Sequence, residues 1–85
     1  MKQVEIYTTP ICGYCAMAKR LLQSKGVEFT EIDVMSNSAA KAQMIERANG
    51  GRTVPQIFVG SEHVGGSDDL HALERAGKLD ALLAA

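Results

Sequence analysis

Two cysteines separated by two residues, Cys12 and Cys15, lie between a strand pattern and a helix pattern near the start of the chain. Residues 4–8 alternate in polarity as a half-buried strand does, and a helix pattern over residues 16–25 begins directly after the second cysteine. The first turn of a helix carries free N–H groups and the positive end of the helix dipole, and both favour an anion. The sequence therefore predicts a thiolate at a helix N-terminus.

Cys12, the more N-terminal of the two cysteines, is the predicted nucleophile. The pKa of a free cysteine is roughly 8.5, and placement at a helix start or inside such a motif lowers it to about 3.5–7.5. Cys15 lies one turn further along the helix, so we expect its sulfur to be less exposed and less readily ionised. We interpret it as the resolving thiol.

Other interpretations of the cysteine pair follow from its spacing. A disulfide that closes a two-residue gap removes little entropy from the unfolded chain, so a structural staple is a poor explanation. A closed zinc site needs four ligands, and the remaining candidates are His63 and His71, which we expect at the surface. Two ordinary buried thiols are the third alternative. In a reducing compartment, a CxxC motif beside a strand–helix pattern favours redox chemistry.

The composition limits the classes of function. Eighty-five residues are predicted to form one domain over residues 1–85. Nine Lys and Arg against ten Asp and Glu give a formal charge of −1, without a basic run of the kind that follows nucleic acid. No apolar stretch approaches the roughly 18 residues of a membrane span, and no signal-peptide pattern follows the first residue. We therefore expect a cytoplasmic protein that binds neither nucleic acid nor membrane.

Periodicity and turn residues predict the remaining elements. The first helix ends at Gly26, and a strand covers residues 27–34, where a change in the phase of alternation predicts an end or a bulge near Thr30-Glu31. A helix capped by residues 36–38 ends after Ala48. Two strands then flank Gly60-Ser61, which suits a type II′ hairpin turn.

After the hairpin, a third helix is predicted to be capped by residues 67–69 and to end at Gly77. A short helical turn follows it. The order is β-α-β-α-β-β-α, which predicts an α/β fold with a right-handed βαβ unit and an appended hairpin. Helices would cover both faces of a four-stranded mixed sheet.

Three segments together resemble the glutaredoxins, a family of the thioredoxin superfamily. They are Cys12-Gly13-Tyr14-Cys15, Thr53-Val54-Pro55 and Gly65-Gly66-Ser67-Asp68-Asp69. The resemblance implies a thioredoxin-like fold and a glutathione-dependent thiol–disulfide oxidoreductase with Cys12 and Cys15 as catalytic residues. It also implies glutathione and glutathionylated or disulfide-containing proteins as partners, with the protein itself a monomer.

The resemblance further implies a set of residues that bind glutathione: Tyr14, Arg52, Thr53, Val54, Pro55, Gly66, Ser67, Asp68 and Asp69. Asp68 and the helix N-terminus would hold the γ-glutamyl zwitterion, and Arg52 would hold the glycyl carboxylate. The bond before Pro55 is expected to be trans on sequence alone and cis by resemblance, so that Val54 pairs with an extended substrate. Simple packing of Tyr14, helix capping by residues 67–69 and solvation of Arg52 are the alternatives.

Two residues depart from the family pattern. One is Thr8, where many glutaredoxins carry a Lys whose charge would lower the pKa of the reactive cysteine, and the other is Gly13. Dithiol glutaredoxins commonly have Pro where this chain has Gly13, which restores an N–H group and leaves more room beside Cys12. Glutaredoxins with Gly at this place resemble carriers of a [2Fe–2S] cluster, in which two chains each supply one cysteine, here Cys12, and one glutathione. A cluster-binding dimer is therefore an alternative function, and a non-catalytic adaptor with a thioredoxin fold is another.

Overall fold

The computed structural model describes residues 2–84, and the elements follow the predicted order. They are β1 (Val4–Thr8), α1 (Gly13–Ser24), β2 (Thr30–Asp33), α2 (Ser38–Arg47), β3 (Gln56–Val59), β4 (Glu62–Gly65), α3 (Ser67–Arg75) and α4 (Leu79–Ala84). The last predicted helical turn is thus a separate short helix, α4. Within residues 2–84, no helix is both long enough and apolar enough to cross a membrane.

The four strands form one mixed sheet in the order β2-β1-β3-β4. β1 pairs with β2 in parallel and with β3 in antiparallel orientation, and β4 completes an antiparallel hairpin with β3. The predicted fold class is therefore confirmed. Because β1 is an inner strand, the connection from β1 to α1 places Cys12 at the end of a buried strand.

Helices pack on both faces of the sheet and bury two separate apolar clusters. The larger cluster lies under α1, α3 and α4, and its most buried members are Val4, Ile6, Ala18, Leu22, Ile57, Val59, Leu70 and Leu79. The other lies under α2 and contains Tyr7, Val34, Ala40, Met44, Ala48 and Phe58. Alternation along β1 explains the division, since Ile6 and Tyr7 point to opposite faces.

The predicted strand over residues 27–34 is wrong at its start, because β2 begins only at Thr30. Gly26, with φ of 69°, ends α1, and its N–H donates to the carbonyl of Gln23 at 3.0 Å. The N–H of Val27 donates to the carbonyl of Leu22 at 3.3 Å. These two bonds form a Schellman motif, so Val27 caps the helix and packs into the core from a loop.

The hairpin turn agrees with the prediction. Gly60 has φ of 60°, whereas Ser61 does not have a positive φ. A type II′ turn requires a positive φ at its first central residue alone, and glycine adopts this conformation without steric cost. The turn sets β4 beside β3, and the chain then passes directly into α3.

Candidate functional site

Cys12 is the N-cap residue of α1. Its backbone is extended, with φ of −154°, and the N–H of Cys15 donates to the Cys12 sulfur at 3.1 Å. The two cysteines are joined as a disulfide with their Cα atoms 5.2 Å apart. Cys15 is almost fully buried, at 1% exposure, whereas Cys12 is partly exposed. An external thiol or disulfide therefore meets the Cys12 sulfur first.

The segment before β3 lies opposite this sulfur. The Val54–Pro55 peptide bond is cis, as the resemblance implied, and the carbonyl oxygen of Val54 lies 3.9 Å from the Cys12 sulfur. Val54 is partly exposed, and Pro55 is buried beneath it. The backbone of Val54 thus faces the reactive end of the cysteine pair.

A cleft of about 380 Å³ opens beside the cysteine pair. Seven residues line it, and all seven belong to the set that the resemblance implied: Tyr14, Thr53, Val54, Pro55, Gly66, Ser67 and Asp68. Tyr14 is 68% exposed, so its ring forms part of the rim and does not pack in the core. Three segments that are far apart in sequence therefore meet around one cavity.

The N-terminus of α3 forms one wall of the cleft, and its cap differs from the prediction. Gly66 is the N-cap residue, and Ser67 is the first residue of the helix. The Asp69 carboxylate accepts from the Gly66 N–H at 2.9 Å. Asp69 therefore closes the helix end, whereas Asp68 remains exposed at the cleft.

The double glycine explains how this wall comes so close to the strand end. Gly65 has φ of 115°, and a Cβ atom there would collide with the carboxylate of Asp69. A Cβ atom on Gly66 would lie 3.1 Å from the Asp68 carboxylate. Larger residues at either position would displace the acidic side chains that shape the cleft.

Arg52 lies outside this cleft. It lines an adjoining groove of about 370 Å³, whose other residues include Met35, Lys41 and Val54. Val54 lines both cavities, so a ligand that occupies the cleft can extend across it towards Arg52. Among the described residues, neither Arg52 nor Lys41 takes part in an ion pair.

Lys19, a cation on α1, is paired with a carboxylate on β2. It forms an ion pair with Glu31 at 3.0 Å, and the hydroxyl of Thr8 donates to the same carboxylate at 2.7 Å. The bonds from Thr8 and Lys19 hold the pKa of Glu31 below its usual value. Lys19 is therefore committed to the β2 edge.

The histidines were both expected at the surface, and only His63 is exposed. His71 is half-buried, with its Nδ1 atom 2.7 Å from the carbonyl oxygen of Ser67. His63 lies 2.6 Å from the amide oxygen of Gln56, a residue that the sequence did not single out. In residues 2–84 no three His, Cys, Asp or Glu side chains gather as a metal site would require.

The sheet is thioredoxin-like, a disulfide-bonded cysteine pair lies at the start of α1, and a segment with a cis-proline lies opposite the pair. These features together define a thiol–disulfide oxidoreductase. A model of the glutaredoxin family matches residues 4–64. A curated glutaredoxin from Pseudomonas aeruginosa is 59% identical over 85 residues, which covers 100% of each chain. The chain belongs to the glutaredoxin family.

Solved structures agree with this assignment. The solution structure of a glutaredoxin from Brucella melitensis has a TM-score of 0.85 at 59% identity, and covers 98% of this chain and 89% of that one. The crystal structure of a buckwheat glutaredoxin–glutathione complex has a TM-score of 0.88 at 30% identity, and covers 98% of this chain and 77% of that one.

Proposed function

We propose that this protein is a glutathione-dependent oxidoreductase that reduces protein–glutathione mixed disulfides and protein disulfides. The observation that supports this most is the cleft beside Cys12, whose walls are a helix N-terminus, the Val54 backbone and an exposed tyrosine. This combination suits a small peptide thiol with charged ends. Since the reaction consumes a reduced thiol, we propose the cytoplasm as its compartment.

Cys12 is the proposed nucleophile, because it combines accessibility with a donor to its sulfur. The N–H of Cys15 points at the sulfur in the oxidised form, and the same N–H stabilises a thiolate there in the reduced form. Cys15 is buried beneath it and reaches only the Cys12 sulfur. The order of attack, Cys12 first and Cys15 second, follows from this arrangement.

In the monothiol route, the Cys12 thiolate attacks the glutathione sulfur of a mixed disulfide. The Cys12–glutathione bond forms, and the protein leaves as a thiolate that takes up a proton. A second glutathione thiolate then attacks the bound glutathione sulfur and releases oxidised glutathione with Cys12 reduced. By holding the glutathione moiety, the cleft determines which of the two sulfurs is attacked.

In the dithiol route, the Cys12 thiolate attacks a protein disulfide, and one substrate thiol leaves. Cys15 then attacks the Cys12 sulfur, which releases the second substrate thiol and forms the Cys12–Cys15 disulfide seen here. Two glutathione molecules reduce this disulfide and leave as oxidised glutathione. Electrons therefore pass from glutathione to the protein substrate through the cysteine pair.

The proposed contacts assign each end of glutathione to one part of the cleft. The free N–H groups at the start of α3, on Ser67 and Asp68, bind the γ-glutamyl carboxylate, and the Asp68 carboxylate binds the ammonium group. Val54 offers its backbone to the cysteinyl residue, as an added strand does. Arg52 reaches the glycyl carboxylate across Val54.

The remaining members of the implied set shape this site. Tyr14 covers the bound thiol from the rim, Thr53 and Pro55 fix the backbone around Val54, and Gly66 admits the ligand to the helix end. Asp69 acts indirectly, because its carboxylate is committed to the Gly66 N–H.

A comparison of two reductants tests the proposal. The two substrates are a glutathionylated peptide and a peptide disulfide. Each is incubated with the protein and one of two reducing systems, either glutathione with glutathione reductase or thioredoxin reductase alone, and NADPH oxidation is followed. We expect catalysis of both reactions with glutathione, and a faster reaction with the glutathionylated peptide. Activity with thioredoxin reductase alone would contradict the proposal.

A second candidate function, a glutathione-ligated [2Fe–2S] dimer, is supported by the space around Gly13. This residue is exposed, and a Cβ atom placed on it would meet nothing within 4 Å. A single chain offers one accessible thiolate, so Cys12 from two chains and two glutathione thiols would supply the four ligands. Anaerobic reconstitution with iron, sulfide and glutathione tests this: a brown dimer supports it, and a colourless monomer contradicts it.

A further inference from the structure

The Gln56 side chain is buried, at 5% exposure, and its hydrogen bonds connect the cleft wall to β4. Its Nε2 atom donates to the carbonyl oxygen of Thr53 at 3.0 Å and lies 3.4 Å from the Thr53 hydroxyl. Its Oε1 atom lies 2.6 Å from Nε2 of His63. A buried amide without partners would be costly, and here both ends of the amide are satisfied.

The chemistry of these partners fixes the orientation of the amide. A carbonyl oxygen can only accept, so the nitrogen of Gln56 must face Thr53. The oxygen of Gln56 must then face His63, and His63 must carry a proton on Nε2 in order to donate to it. The opposite orientation would place two oxygens 3.0 Å apart. The Thr53 carbonyl therefore fixes the orientation of the amide, and a hydrogen bond from His63 secures its other end.

The segment that Gln56 holds has little other support. Among the described residues, none of the backbone–backbone hydrogen bonds outside the helices and strands involves residues 52–55. Gly51 leaves room for the amide, since a Cβ atom there would lie 3.1 Å from Nε2 of Gln56. Thr53 adjoins Val54, whose carbonyl oxygen lies 3.9 Å from the Cys12 sulfur.

We propose that Gln56 is a positioning residue for the glutathione cleft, and that a hydrogen bond from His63 holds its amide in place. The Gln56 amide fixes the position of the Thr53 carbonyl. It thereby fixes the position and direction of the adjoining Val54 backbone, which meets the substrate. This inference rests on the proposed function, since it describes how the same cleft is held ready. Gln56 is not itself among the residues that line the cleft, and it acts on the cleft through its bond to Thr53.

His63, on β4, contacts both the Gln56 amide and the ring of Phe58. Its ring stacks on Phe58 with centroids 4.8 Å apart and an interplanar angle of 24°. A His63→Phe variant keeps a ring on Phe58 and removes the donor to Gln56. We expect the Gln56 amide to be held less firmly in this variant, because its bond to Thr53 remains and its bond to His63 is lost. The effect on the cleft should therefore be smaller than that of changing Gln56 itself.

The test compares Gln56→Met with Gln43→Met. Both substitutions remove one amide, but Gln43 is exposed and lies on the α2 side of the sheet, where its amide oxygen accepts from the hydroxyl of Tyr7. KM and kcat are measured with a glutathionylated pentapeptide, together with the pH dependence of Cys12 alkylation. Loss of one hydrogen bond predicts that Gln56→Met raises KM about fivefold or more. The alkylation profile should not change, and Gln43→Met should keep the wild-type KM.

If the wild-type protein turns the peptide over and the folded Gln56→Met variant has the same KM, the inference is wrong and the proposed function stands. An inactive wild-type protein would instead overturn the proposed function. Should Gln56→Met fail to fold, KM for the same peptide measured with His63→Phe serves as the test. A higher KM than that of the wild type supports the proposal, and an equal KM refutes it.

Discussion

The carboxylate of Asp69 accepts a hydrogen bond from the backbone N–H of Gly66, with 2.9 Å between the two atoms. This bond closes the N-terminal end of α3 and removes one carboxylate from the ligand side of the helix. The neighbouring Asp68 makes no such bond and lines the cleft. Adjacent residues of the same type therefore have different surroundings: Asp69 closes the helix end, and we propose that Asp68 binds the ligand.

Alanine variants of the two aspartates should separate these roles. Asp68→Ala should raise KM for a glutathionylated peptide about tenfold, because the ammonium group of glutathione loses its partner, with little change in the free energy of unfolding. Asp69→Ala should lower the free energy of unfolding by about 1 kcal/mol through loss of the cap, with a smaller change in KM. Steady-state kinetics and urea denaturation measure both. A larger change in KM for Asp69→Ala than for Asp68→Ala would contradict the assignment.

Two glycine-to-alanine substitutions should have opposite effects on stability. Gly65→Ala places a Cβ atom into the Asp69 carboxylate at φ of 115°, so it should destabilise the protein by about 2 kcal/mol or more. Gly13→Ala meets open space at a helical position and should be neutral or stabilise by up to about 1 kcal/mol. Thermal unfolding of the two variants beside the wild type measures this. Equal midpoints for the two variants would show that the α3 wall is not closely packed.

Glu31 should contribute to stability in a pH-dependent way. Its pKa is lowered in the folded protein by the hydroxyl of Thr8 and by Lys19, so the contribution is complete at neutral pH. It is lost as the pH falls through this lowered pKa. Glu31→Gln should therefore be less stable than the wild type at pH 7, and the difference should shrink towards pH 2.

Urea denaturation across this pH range provides the measurement for Glu31. Glu28→Gln is the control, since Glu28 is exposed and forms no ion pair with the residues described. A difference between Glu31→Gln and the wild type that stays constant with pH would show that the contacts of Glu31 do not favour its charged form.

The sequence predicted the order of elements because periodicity and turn residues act locally. Gly26 and Gly77, with φ of 69° and 72°, end helices where the pattern placed a stop. The start of β2 could not be predicted, since whether Val27 pairs in a strand or caps α1 depends on the geometry of the helix end. An apolar residue after a terminal glycine fits both arrangements.

The motifs in the sequence predict which segments form the candidate site. They do not predict the hydrogen bonds that hold these segments in place. The Gly65-Gly66-Ser67-Asp68-Asp69 segment was read as a cap beginning at Ser67, whereas the structure caps α3 at Gly66 through the side chain of Asp69. The pairing of Gln56 with His63 depends on the hairpin bringing β4 beside β3. In sequence alone, Gln56 is simply a polar residue at the start of a buried strand, and that signal does not identify its partners.

We propose that Cys12 attacks the glutathione sulfur and that Cys15 is needed only for the dithiol route. The rate at which Cys12→Ser and Cys15→Ser release glutathione from a glutathionylated peptide tests this proposal, with mass spectrometry of the protein during turnover. We expect no catalysis by Cys12→Ser, and continued turnover by Cys15→Ser with one glutathione carried on Cys12. Catalysis by Cys12→Ser, or glutathione carried on Cys15 in the wild type, would contradict it.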